Sequence, residues 1–146
     1  MSKICAELHV IFNKLKRFEF PFELRQIPGN GIYVLFESGE KAHAVDRIVR
    51  VGTHTGENQL RSRLKQHYIN ENKDRSIFRK NIGRAILNRE SDPFLKQWNW
   101  DLTTRKAKDR YGDLVDWSKQ DEVEKKVSAY IQGHLWFLRW EKRKVV

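Results

Sequence analysis

The chain has 146 residues, 39% of them hydrophobic and five of them tryptophan, enough for a single domain, 1–146, with its own core. Its 29 Lys and Arg against 19 Asp and Glu give a formal net charge of +10, spread along the chain, which points to a polyanionic partner such as nucleic acid. Cys5 is the only cysteine, so an intrachain disulfide and a paired-cysteine zinc finger are excluded, and no apolar run approaches the roughly 20 residues needed to span a bilayer.

A reducing, cytoplasmic setting is expected, because Met1-Ser2-Lys3-Ile4-Cys5 also lacks the apolar centre of a signal peptide. Leu8, Ile11, Phe12 and Leu15 recur at helical spacing and predict an opening helix over 6–18. Pro28-Gly29-Asn30-Gly31 is a turn cluster, and the unbroken run Ile32-Tyr33-Val34-Leu35-Phe36 predicts a strand covered on both faces. Ser38 to Asp46 reads as a polar connection. Ile48, Val49 and Val51 then predict a second strand, pairing antiparallel with the first as a hairpin.

After a loop holding Thr53, His54, Thr55 and Gly56, Leu60, Leu64 and Tyr68 repeat at i, i+4, i+8 and predict a helix. Arg63 and His67 lie along one edge of its apolar stripe and are expected to point into a groove beside the core. Ser76 is placed to cap a helix through Leu87, with Ile77, Ile82, Ala85 and Ile86 inward and Arg75, Arg79, Lys80, Arg84 and Arg89 carrying the charge. Pro93 stops it, and Phe94 to Trp100 reads as a short strand or an irregular crossing. The stretch 101–111 is polar and carries no clear period. A helix is expected from Asp121, with Val123, Val127, Tyr130 and Ile131 inward, followed by a final strand over Trp136 to Trp140 and the basic end Lys142-Arg143-Lys144.

Gly31-Ile32-Tyr33 on a strand, a second strand closing at Arg50-Val51-Gly52, and a helix bearing Arg63 and His67 together resemble the GIY-YIG nuclease domain. The resemblance covers about 31–131. It extends to Ser76-Ile77-Phe78-Arg79-Lys80 with Gly83 and to Glu124-Lys125-Lys126-Val127-Ser128, a pattern similar to small stand-alone members. It implies an α+β fold with a central three-stranded antiparallel or mixed sheet flanked by helices, and a metal-dependent DNA endonuclease, RNA not being excluded as substrate. By the same resemblance, Tyr33 serves as general base or water positioner, Arg63 grips the scissile phosphate, and Glu124 holds one Mg²⁺ (or Mn²⁺) as a hard cation suited to a carboxylate and waters. The second motif begins with Arg50 where most members carry tyrosine. A guanidinium cannot accept a proton, so Arg50 is expected to hold phosphate or to favour the phenolate of Tyr33.

His67 joins the catalytic set, and His54, Lys65, Arg79, Lys80 and Arg84 are expected to contact nucleic acid. The alternative function is a catalytically weakened nucleic-acid-binding module on the same fold. No separate recognition domain is expected, so target choice is expected to fall to this fold's own surfaces, a dimer, a structured substrate or a partner.

Overall fold

The computed structural model of the protein describes residues 2–140, and the chain divides into two compact units. One is built from the residues up to Leu64 together with the chain from Gln132 onward; the other is Lys65–Ile131. The basic end Lys142-Arg143-Lys144 lies outside the described residues.

The first unit contains helix α1 (Lys3–Asn13) and an antiparallel sheet of β1 (Ile32–Ala42), β2 (Val45–Gly52) and β3 (Leu135–Trp140), in the order β2-β1-β3. The central position goes to β1, whose Tyr33-Val34-Leu35-Phe36 run is fully buried. Alternation sends Val34 and Phe36 to one face, where Leu138, Phe12, Leu15, Ile48 and Trp136 close around them. Tyr33 and Leu35 point the other way.

The opening helix starts and stops earlier than its apolar period suggests. Asn13 ends it by turning its amide to the hairpin: Nδ2 donates to the Asp46 carbonyl at 2.9 Å, and Oδ1 accepts the Asp46 N–H at 3.1 Å. Farther on, the backbone of Phe18 is taken by a bridge to Phe137 and cannot join a helical ladder. Leu8 and Ile11 are 44% and 50% exposed, and the core contact falls to Phe12 and Leu15. The polar segment 38–46 is strand and turn rather than a loose connection. Its hairpin projects polar residues to solvent, and His43 and Ala44 form the tip with φ of 53° and 63°.

Helix α2 (Leu60–Tyr68) carries the chain from the first unit into the second. The second unit then adds α3 (Ile77–Arg89), α4 (Leu95–Trp98), α5 (Arg105–Tyr111) and α6 (Trp117–His134), the last continuing past Ile131. Ser76 caps α3 as its sequence implies, its Oγ accepting the Arg79 N–H at 3.2 Å. A helical turn stands where a strand was considered at 94–100. It delivers Trp98, fully buried, against Gly83: a Cβ at 83 would lie 2.3 Å from the indole, and Trp98 Nε1 donates to the Lys80 carbonyl at 2.9 Å. Thr104 caps α5, and α6 begins ahead of Asp121 because Asp116 Oδ1 accepts the Lys119 N–H at 2.9 Å.

The inward face of α3 also differs from its hydrophobic pattern. Ile77 is 50% exposed and Ala85 is exposed, whereas Phe78, Arg79, Lys80, Gly83, Ile86 and Leu87 are buried. Two cations therefore face the interior, and their partners explain why.

Candidate functional site

In the first unit, Tyr33 lies directly between Gly52 on β2 and Arg139 on β3. A Cβ at position 52 would come within 2.2 Å of the phenol oxygen, so glycine there makes room for the ring. Arg50 is two residues from Gly52 and therefore on the same face of β2. Its Nε donates to the Tyr33 hydroxyl oxygen at 3.4 Å, a long contact that still sets a positive charge beside the phenol. Arg63 is half-buried on α2, one helical turn before His67.

Both ring nitrogens of His54, expected at the phosphate, meet backbone groups. Its Nδ1 lies 2.9 Å from the Gly56 carbonyl, to which it can only donate, and its Nε2 accepts the Gly31 N–H at 3.1 Å. With both ring nitrogens engaged and Thr53 Oγ1 donating to the Gly31 carbonyl at 3.0 Å, His54 ties the 53–56 loop to the start of β1.

The second unit is organised around an ion pair on its inside. Glu124 is 2% exposed and Arg79 is fully buried. Arg79 donates from Nε and Nη2 to Glu124 Oε2 at 3.1 and 2.7 Å, while Glu124 Oε1 accepts the Lys73 N–H at 2.5 Å. The rest of the guanidinium is satisfied by the Glu124 and His67 carbonyls and by Ser128 Oγ. Burial pushes the Glu124 carboxyl above its ordinary range, with the Arg79 guanidinium pulling the other way. Next to it Lys73, 1% exposed, donates from Nζ to Asp74 Oδ1 at 2.9 Å and to the Trp100 carbonyl at 2.6 Å, and burial lowers its pKa. His67, also fully buried, has its Nδ1 2.7 Å from Ser76 Oγ and its ring edge-on to Phe78.

This arrangement bears on three groups of the expected residues. Arg79 and Lys80 are not a solvent-facing, nucleic-acid-facing surface: Arg79 is spent on Glu124, and Lys80, 7% exposed, pairs with Asp74 at 3.3 Å. Glu124 as arranged does not suit Mg²⁺. That ion keeps several waters, and here the carboxylate is enclosed, accepts hydrogen bonds on both oxygens and already has a guanidinium as its counter-charge. Lys65 is exposed, and Arg84 donates to the neutral amides of Asn99 and Asn81 at 2.6 and 2.8 Å.

Tyr33 and Arg50 are thus brought together within one unit, and His67, Arg79 and Glu124 within the other. Lys73, Asp74 and Ser128 had no place in the expected site. Ser128 was legible, since it stands one helical turn after Glu124 and shares its face of α6. Lys73 was not, because its backbone partner lies 51 residues away. No helix among the described residues is long and apolar enough to cross a membrane. A family model described as GIY-YIG domain matches residues 3–143. No curated protein and no solved structure matches the chain.

Proposed function

The chain belongs to the GIY-YIG family, and from that premise we propose that it is a DNA endonuclease hydrolysing phosphodiester bonds, with Tyr33, Arg50 and Arg63 handling the phosphate. The family makes this a nuclease-type domain whose substrate is nucleic acid, and nucleases of this family typically use divalent metal ions. The observation that carries the finer reading is the Arg50–Tyr33 contact opposite Gly52. Hydrolysis needs a deprotonated water, neutralisation of the pentavalent phosphate and a stabilised leaving oxygen. Arg50 cannot take up a proton, so its part is electrostatic: an N–H aimed at the phenol oxygen stabilises negative charge there. Arg63 supplies a planar guanidinium for two phosphate oxygens. Lys65 and Arg84 add sequence-independent attraction to the backbone. Because Glu124 is closed by Arg79 and Lys73, no step is assigned to a metal at that residue, and Glu124 with His67 is assigned to holding the second unit in shape.

A second reading, a nucleic-acid-binding module without catalysis, is favoured by the same closure of Glu124 and by the complete burial of Tyr33. Nicking of supercoiled plasmid, with Mg²⁺ and with chelator, separates the two. The nuclease reading expects Arg63→Ala and Tyr33→Phe to lower the nicking rate by about 10²–10³, the usual loss for an electrostatic catalytic group. Wild-type protein that binds DNA in a salt-dependent way but nicks no faster than Arg63→Ala would leave only the binding module.

A further inference from the structure

Outside the phosphate-handling residues, the first unit gathers its sole cysteine and two of its histidines at one place. Cys5 and His9 stand at i and i+4 on α1, hence on one face, and His43 comes from the β1–β2 turn. One ligand atom from each residue lies within 4.8 Å of those of the other two. The His9 and His43 rings meet edge-on with centroids 4.9 Å apart. Tetrahedral zinc, with bonds of about 2.3 Å to sulfur and 2.0–2.1 Å to nitrogen, sets its ligand atoms about 3.3–3.6 Å apart, so small side-chain rotations close the cluster.

Two features separate this group from a chance meeting of side chains. His9 Nδ1 lies 2.9 Å from the Cys5 carbonyl, to which it can only donate. The ring lone pair is therefore on Nε2, and that atom is buried with no hydrogen-bond partner. A histidine whose one nitrogen is fixed by a backbone carbonyl and whose other is left open is arranged as metal-binding histidines are. The turn supplies the second feature. His43 and Ala44 both adopt positive φ at a two-residue hairpin tip, where Asn-Gly is the favoured pair. The chain thus accepts backbone strain at the residue that presents an imidazole to the helix.

We propose that Cys5, His9 and His43 form a site for a transition-metal dication of the zinc class, joining the start of α1 to the tip of the β1–β2 hairpin. A thiolate and two imidazoles suit borderline-soft ions and disfavour Mg²⁺. On binding, Cys5 releases its thiol proton to solvent and the sulfur takes the metal in its place. Three protein ligands leave the fourth position to water. The far end of α1 is already held to the same hairpin by Asn13, and Arg17, just beyond the helix, has its Nη1 2.7 Å from Asp46 Oδ2. The metal fastens the near end, beside an open groove of about 370 Å³ lined by Ala6, Glu7, Val10, Ile11 and His43.

The test is a Co²⁺ titration of the reduced, metal-free full chain carrying no histidine tag. One ion per chain is expected, with a thiolate-to-cobalt charge-transfer band in the near ultraviolet that Zn²⁺ abolishes. Cys5→Ser should remove the band. His9→Gln and His43→Asn should each weaken binding by more than about tenfold, the scale already lost when only a ligand's supporting hydrogen bond is removed. His43→Asn suits the left-handed turn, so the metal-free variant should keep its circular dichroism and unfolding midpoint, and its loss of affinity then reports ligation alone. The site is overturned if excess Co²⁺ gives no charge-transfer band, or if stoichiometric binding survives Cys5→Ser and His43→Asn. None of these readouts depends on nuclease activity.

Discussion

Glu124→Ala is the substitution that separates a structural carboxylate from a metal-binding one. It leaves the Arg79 guanidinium fully buried with only neutral acceptors, Ser128 Oγ and the carbonyls of residues 67 and 124. Three hydrogen bonds disappear: two from Arg79 to Oε2 and one from the Lys73 N–H to Oε1. Removing one partner of a buried pair costs about 3–5 kcal/mol, mostly from the stranded charge. The orphaned Lys73 N–H adds about 1–3 kcal/mol, less than additively because the groups share one network. A loss of about 4 kcal/mol is expected, a large part of the 5–15 kcal/mol typical of whole domains. Urea unfolding followed by far-ultraviolet circular dichroism measures it. The double variant Arg79→Met, Glu124→Leu, which takes both charges out, should be more stable than either single change. A loss below about 1 kcal/mol for Glu124→Ala, with nicking abolished, would refute the closed ion pair and return Glu124 to the metal.

Two further expectations follow from particular residues. Asp46 accepts from Lys41 and Arg17, and these bonds, Lys41 first, lower its pKa from the ordinary 3.8. The folded pKa is below the unfolded one, so the stabilisation is complete above about pH 4 and is lost as pH falls through the folded value. Asp46→Asn should therefore be less stable than wild type by about 0.5–1 kcal/mol at neutral pH, with the gap closing in acid; a gap that is flat or widens below pH 4 contradicts the assignment. Lys65→Ala should lower the slope of log affinity for DNA against log salt by about one, since an exposed lysine releases a counterion on binding. Lys80→Ala should leave that slope unchanged and shift the unfolding midpoint instead. The reverse pattern would place Lys80, not Lys65, against the phosphates.

The elements that could be recognised in advance are those whose cause is local. The five-residue run from Ile32 is central-strand sequence because a strand covered on both faces of its sheet has no side left for solvent, and β1 is that strand. Ser76 caps α3 through a contact three residues long. The hairpin was legible for the same reason, although the polarity of residues 38–46 concealed that they continue the strands. Capping by Asp116 set the start of α6 earlier than its apolar period suggests. At 94–100 the aromatics Phe94, Trp98 and Trp100 imitate a strand pattern, yet the cavity above Gly83 selects a helical turn that seats the Trp98 indole.

The candidate site divides along the same line. Motif order alone proposed Tyr33, Arg50, Arg63, His67 and Glu124 as candidates, because chemistry-bearing residue types at fixed spacings are a property of the chain. Sequence also fixed the charge of every arginine and lysine, but not the destination of that charge. Arg79 and Lys80 look like their exposed neighbours in composition and differ in having carboxylates to receive them, Glu124 45 residues away and Asp74 six. The same holds for Cys5, His9 and His43, distant in sequence and unremarked by any motif, which only the packing of α1 beside the hairpin brings to one point. Periodicity and caps act over a few residues and can be read from one strand of text, whereas desolvation and ion pairing depend on which surfaces meet, and tertiary structure decides that.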